Sequence, residues 1–259
     1  MMQLKEIIKI SKGTKVVLAI TFVVSLAAIL FAFLYYSNLN KSEDPRITRA
    51  KELLFEYDKI SGRPDSYLAF PLLDSASVIF RSLPDYASSF EPGVIYNNKC
   101  SALLLMALYD STLSESEKEN LLNLSMKLCD SSIRCYKRWK EEWGILSEKE
   151  IAGKLKPFMR KDDEAFSNIN FAKVFDRRIK NIITAQIETD RRLSVSLTNK
   201  GTIYRHMLKQ DSALVCYRDA LDLWKDNRTA KSNLSVLMGG EIVTPTIIES
   251  LFPPDKNKR

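Results

Sequence analysis

The chain has 259 residues, 45% apolar and 27% charged, with 39 Lys and Arg against 32 Asp and Glu for a net charge of +7. Lys5, Lys9, Lys12 and Lys15 against Glu6 place +3 of that charge in the first fifteen residues, which leaves +4 over more than 200 residues. That is too dilute for a nucleic-acid footprint, which gathers basic residues on one face, so no nucleic-acid partner is expected. KRWK at 137–140 and DRR at 176–178 are read as solvated helix faces. Eight Gly and nine Pro with long gaps between them fit a mostly helical chain. There is no low-complexity tract and no convincing β-hairpin signal.

Val16 to Tyr36 (VVLAITFVVSLAAILFAFLYY) is a run of twenty-one residues without a charge. At about 1.5 Å per residue it crosses a hydrocarbon core of roughly 30 Å. Tyr35 and Tyr36 suit the lipid–water interface, where an aromatic body and a polar tip are both satisfied. A cleaved signal peptide would have an apolar region of about 7–15 residues and a small-residue cleavage site. This run is longer and ends in Tyr-Tyr-Ser-Asn-Leu-Asn, so the expectation is an uncleaved signal anchor. Lys9, Lys12 and Lys15 precede the span, and Lys41 and Arg46 follow it. The positive-inside rule then puts the N-terminus in the cytoplasm and residues 37–259 outside it, in the periplasm for a bacterial inner-membrane protein. Residues 1–15 become a basic cytoplasmic segment in which Leu4, Ile7 and Ile8 share one helical face and suit the inner membrane surface.

Beyond the anchor, Ser42-Glu43-Asp44-Pro45 signals a helix start, and Leu53, Leu54 and Tyr57 fall on one face before Pro64-Asp65. A helix over 66–83 follows, Pro84 and Pro92 bracket a loop, and 94–110 and 114–143 form the next pair. Pro157 and the charged run from Arg160 to Glu164 mark an irregular connection. From Phe171, the residues Val174, Phe175, Ile179, Ile182, Ile183 and Ile187 track a helical stripe. Helices over 191–208, 211–224 and 228–238 close the fold, with Gly239-Gly240 ending the last. Residues 241–252 read as a short docking segment and PPDKNKR as a frayed end.

The most informative stretch is Leu197 to Leu237, LTNKGTIYRHMLKQDSALVCYRDALDLWKDNRTAKSNLSVL. Gly201 and Ala213 have almost no side chain, which lets two helices approach, and Tyr204 and Tyr217 fill the flanks. With Leu197 and Ala220, these residues resemble a tetratricopeptide (TPR) repeat, best matched over 194–227, followed by a closing helix over 228–238. Lys200 and Lys225 depart from the family pattern, where Leu and Pro are usual.

Fragments recur. Asp211-Ser212-Ala213-Leu214-Val215-Cys216-Tyr217-Arg218 has relatives at Asp130-Ser131-Ser132-Ile133-Arg134-Cys135-Tyr136-Lys137 and Asp74-Ser75-Ala76-Ser77-Val78-Ile79-Phe80-Arg81. Tyr96-Asn97-Asn98-Lys99-Cys100-Ser101 parallels Leu197-Thr198-Asn199-Lys200-Gly201-Thr202, which pairs Cys100 with Gly201. Thirty-two residues then separate Cys100 from Ser132, against twelve from Gly201 to Ala213, so an insertion has to lengthen the first hairpin. The resemblance implies an all-α fold of irregular TPR-like hairpins after a single membrane helix. A repeat stack buries its core only between neighbours, so the 145–190 region has to supply packing of its own.

No G-x-S-x-G elbow, H-E-x-x-H motif or phosphate-binding loop is present, and His206 is the single histidine. Cys100, Cys129, Cys135 and Cys216 lack metal-ligand spacing, although an outside compartment would permit a bridge such as Cys100 to Cys129. The expectation is therefore no enzyme, no cofactor and no metal. The resemblance instead implies a partner-binding groove, with Asn98, Asn199 and Asn233 at the groove-facing position of successive first helices. Arg205, Thr198 and Thr202 line the same groove. An Asn amide donates and accepts at once, so it can pair with the backbone of an extended peptide without reading its side chains.

These features make the expected function a membrane-anchored scaffold that holds a partner protein or peptide by groove contacts. Over short segments the layout is also similar to periplasmic TPR proteins of MoxR-type ATPase and von Willebrand-domain systems, which implies an assembly or stress-tolerance complex. The competing expectation is a structural subunit of a large envelope machine, for secretion or motility, with its surface permanently occupied.

Overall fold

The computed structural model describes residues 11–40 and 42–244, with the side chains of 35–40 set aside. The expected surface helix over 4–12 lies largely outside these residues. The interfacial placement of Tyr35 and Tyr36 and the end of the chain from Pro245 onward lie wholly outside them. Among the described residues the fold is all-α, with no strand.

α1 (Lys12–Asn40) carries the apolar run. Its window Lys12–Leu34 has a mean hydropathy of 2.8 and none of it is buried, so this one helix is long and apolar enough to cross a membrane. The body begins almost at once. Asp44 accepts the Arg46 N–H and caps a 3-10 turn at Pro45–Ile47, which runs into α2 (Thr48–Asp58). A second 3-10 turn, Ser66–Ala69, leads into α3 (Phe70–Ser82). The loop expected between Pro84 and Pro92 contains one helical turn, α4 (Pro84–Ala87), because Pro84 at its first position has no N–H to lose.

α5 (Glu91–Tyr109) and α6 (Glu115–Trp143) form a long antiparallel hairpin. Ser114 and Glu117 build a reciprocal capping box at the start of α6, and Ser147 and Glu150 repeat it for α7 (Glu148–Leu155). α8 runs unbroken from Phe171 to His206. This corrects the expectation of two helices meeting near residue 190. The charged stretch there continues the helix because it is paired laterally. Lys140 bonds Asp190, and Arg192 bonds Glu188. α9 (Gln210–Leu223) folds back on the second half of α8, and α10 (Arg228–Leu237) follows. The last helix ends as the sequence indicated. Gly239 takes φ +81° and the Gly240 N–H bonds the Ser235 carbonyl, a Schellman closure.

Three apolar clusters hold these helices. The first joins α2, α3, Tyr86 and Ile95. The third joins α5, α6 and the second half of α8 through Cys100, Leu104, Cys129, Tyr136, Leu193 and Ile203. The second supplies the packing required of the 145–190 region. Trp139 and Trp143 at the end of α6 meet Ile151 and Leu155 of α7, Met159, Phe166, and Val174, Ile179 and Ile182 of α8. Trp139 sits within KRWK and is fully buried, so that run is solvated only at its charges.

The two later hairpins share one close approach. A Cβ added to Gly201 would lie 2.6 Å from the Tyr217 ring, and a Cβ added to Gly93 would lie 2.6 Å from the Tyr136 ring. Tyr136 and Tyr217 correspond as the recurring fragments suggested, but the glycine that matches Gly201 is Gly93 and not Cys100. The seven-residue slip is two helical turns and leaves the same face inward, which is why the sequence alignment did not detect it. Forty-three residues separate Gly93 from Tyr136 and sixteen separate Gly201 from Tyr217. The insertion therefore lengthens both helices of the first hairpin. α5 continues sixteen residues past Gly93, against five for α8 past Gly201, an excess of about 16 Å.

Candidate functional site

The expected groove residues fall on α5, α8 and α10, but most of their polar groups serve the fold. Thr198 is 2% and Thr202 9% exposed. Each hydroxyl bonds a carbonyl one turn back, Ser194 and Thr198 respectively. Asn227 then bonds Thr198 at 2.9 Å, and Tyr217 bonds Thr202 at 3.3 Å. These two threonines are interhelical contacts, not groove lining. The sequence placed them one turn behind Arg205 without seeing that α10 covers that side.

Asn199 and Asn233 are half-buried and tie helices together. The Asn199 amide donates to Asn97 Oδ1 at 3.2 Å, and the Asn233 amide donates to Thr202 Oγ1 at 3.1 Å. It is Asn97, one residue from the expected Asn98, that meets Asn199, and it also accepts from Ser196 at 2.9 Å. Asn98 is half-buried and its carbonyl accepts from Tyr57 Oη at 3.2 Å. Arg205 is half-buried beside His206 Nε2 at 3.5 Å. Of the expected groove residues, Asn98 and Arg205 are half-buried and, among the described residues, their side chains make no hydrogen bond to another helix.

One to two turns along the same helices lies a cleft of about 280 Å³ between α2, α5 and α8. Val94 is one turn before Asn98 on α5, and Arg192 is two turns before Asn199 on α8, so within each of these pairs the residues share a helix face. Its apolar lining is Leu54, Phe80, Phe90, Val94 and Ala185. Its charged lining is Lys51, Arg177, Arg178 and Arg192 with Glu43 and Glu91. Lys51 pairs with Glu43, Arg177 lies 3.5 Å from the same carboxylate, and Arg192 stacks 4.4 Å above the Phe90 ring.

Behind the cleft is a buried ionic network. Arg178, read from sequence as part of a solvated face, is 2% exposed. It donates to Glu91 Oε1 at 2.7 Å, to the Asp85 carbonyl and Ser89 Oγ at 3.1 Å, and its guanidinium lies 3.8 Å above the Tyr86 ring. Tyr86 donates to Asp44, and Arg46 bonds both Asp44 and Asp85, the latter at 2.9 Å. Burial opposes the charge on Arg178 and Arg46. The facing carboxylates outweigh it, and both stay protonated with pKa values above the ordinary range. Burial pushes the Asp85 carboxyl upward against the pull of both guanidinium groups. Its Oδ1 and Glu91 Oε2 are buried without a hydrogen bond. Arg178 stands one turn from both Val174 and Ile182, so the apolar stripe carries it inward, unlike its exposed neighbour Asp176.

The chemistry on view is hydrogen bonding and charge pairing. No group of three His, Cys, Asp or Glu close enough to hold a metal occurs among the described residues. The four thiols are free. The neighbouring Cys100 thiol, together with burial, drives the Cys129 thiol far above its usual range, and Cys129 Sγ donates to the Ser196 carbonyl at 3.0 Å. His206 is exposed, and partial burial with Arg205 alongside lowers its pKa.

Comparison of the chain with protein-family models, with curated protein sequences and with solved structures finds no match in any of the three.

Proposed function

We propose that the chain is a membrane-anchored helical scaffold that holds a partner protein or peptide along the side of α2, α5 and α8 that carries the cleft. One observation carries this reading. An apolar-floored cleft with a charged rim continues along α5 into the Asn98 surface. The repeated Gly–Tyr approach supports a TPR-like stack, in which first helices line one side. α1 supplies the anchor, with the body placed on the non-cytoplasmic side. Asn98 and Arg205 contact the partner in this account. Asn199 and Asn233 hold the groove in shape.

The test fills the cleft without touching the core. Thr184 lines the cleft and is exposed, so Thr184→Trp leaves the buried clusters intact and occupies much of the opening. The full-length chain is crosslinked in its native membranes, and co-purifying proteins are compared between wild type, Thr184→Trp and Thr184→Ser. A discrete partner retained by the Ser variant and lost by the Trp variant supports the scaffold reading. Identical partners with all three place the interaction elsewhere, as in a subunit embedded in a larger assembly.

A further inference from the structure

We propose that the loop over residues 156–161 docks on the lipid surface beside the membrane helix, with Phe158 entering the interface. The proposal rests on the reading of α1 as a membrane span. The loop reads Lys156-Pro157-Phe158-Met159-Arg160-Lys161. Met159 is 2% exposed and pins the loop to the second apolar cluster, while Phe158 next to it is 41% exposed. Lys156, Arg160 and Lys161 are exposed around it.

The position of this loop is fixed by the residues that leave the membrane helix. The Phe158 carbonyl accepts from Arg46 Nη1 at 3.0 Å, and the Arg46 guanidinium also lies 5.1 Å from the Phe166 ring centroid. Asp44 and Asp85 hold Arg46 from its other side. Arg46 follows the last residue of α1, Asn40, by six residues, a reach of at most about 20 Å. From Leu34, where the apolar window ends, the helix to Asn40 rises about 9 Å, roughly the depth of one headgroup layer. The body is therefore tethered at the headgroup surface by a short leash, and the loop bonded to that leash presents an exposed aromatic ring.

The chemistry fits an interface. An aromatic ring is satisfied at the boundary of acyl chains and headgroups, and flanking Lys side chains extend their charges to phosphate oxygens. Of the three acids that follow, Asp162 pairs with Arg160 and Asp163 caps the Ala165 N–H, while Glu164 is exposed, so the segment is close to neutral. Insertion of Phe158 therefore supplies the main attraction. Docking should persist on uncharged phosphatidylcholine.

The test uses the full chain in phosphatidylcholine vesicles, with and without bromine on the acyl chains near the glycerol backbone. Phe158→Trp reports the loop, and Lys209→Trp reports a position just past the end of α8, a helix about 53 Å long that starts beyond the loop. The signal of Trp139, Trp143 and Trp224 is subtracted with the wild-type chain. The expected result is quenching of the residue-158 signal by brominated lipid, roughly twofold or more above that of the residue-209 signal. Equal or absent quenching, in a chain that resists alkaline extraction from the vesicles, overturns the docking and leaves Phe158 for a protein contact. Extraction of the chain by alkali overturns the membrane span itself, and the docking with it.

Discussion

Arg178 of α8 and Glu91 in the first turn of α5 are 87 residues apart in sequence, and their side chains meet at 2.7 Å with Arg178 2% exposed. The pair joins the second half of the fold to the start of the first long hairpin, directly behind the cleft. Removing one partner of a buried pair leaves the other charge without compensation, at a cost of about 3–5 kcal/mol. Arg178→Met should lose stability on that scale in denaturant unfolding of the detergent-solubilised chain. Arg178→Met with Glu91→Gln should lose distinctly less. A single variant within about 1 kcal/mol of wild type would remove the pair from the account of how the cleft is built.

The Gly201–Tyr217 and Gly93–Tyr136 approaches predict matched penalties. In each, an added methyl would stand 2.6 Å from a buried ring. Gly201→Ala and Gly93→Ala should each cost roughly 1–3 kcal/mol of strain, or about 2–10 °C in thermal midpoint for a body of this size. Exposed Gly153, where an added Cβ meets nothing within 4 Å, is the control. Gly153→Ala should be neutral or slightly stabilising, because Ala is the better helix former.

Arg46 is a strap between the exit from α1, α4 and the 156–161 loop. Arg46→Ala should release that loop locally while the hairpins stay folded. Limited trypsin cleavage after Arg160 and Lys161, both exposed, should accelerate on the order of tenfold, with little change in helical circular dichroism. Unchanged cleavage would mean that Met159 and Phe166 alone hold the loop.

The capping boxes give a pH dependence of known sign. The hydroxyl and backbone N–H of Ser147 hold the Glu150 carboxyl below its ordinary 4.5, and those of Ser114 do the same for Glu117. A carboxyl depressed in the folded state stabilises fully above its unfolded value, and that contribution disappears as pH falls through the folded one. The stability gap between wild type and Glu150→Gln should therefore be present at pH 7 and shrink as pH falls below the ordinary 4.5. A gap that is constant across this range would show that the charge of Glu150 contributes nothing to the start of α7.

Local signals were legible and lateral ones were not. Gly239-Gly240 marks a helix end because the cap is made by residues within one turn of each other, whereas Pro84, expected to bound a loop, opens a helical turn. The matched Tyr136 and Tyr217 were visible because the fragments around them repeat. The uninterrupted α8 was not, since Lys140, which pairs with Asp190, is 50 residues away. Of the residues expected in a groove, Thr198 and Thr202 face α10, and Asn97 rather than Asn98 reaches Asn199. Which side of a half-buried helix a small polar residue serves is decided by its neighbour, and spacing along one helix does not encode that. The stripe of α8 carries Arg178 inward, but what it meets there was not legible. Its partners Glu91, Ser89 and the Asp85 carbonyl come from a segment without periodicity.

The central claim is that the cleft side of α2, α5 and α8 holds a partner at the membrane. The most direct measurement is crosslinking of the full-length chain in native membranes, with wild type, Thr184→Trp and Thr184→Ser compared at equal abundance. The account predicts one discrete crosslinked protein with wild type and Thr184→Ser that is lost with Thr184→Trp. The same crosslinked proteins with all three, at the same yield, would contradict it.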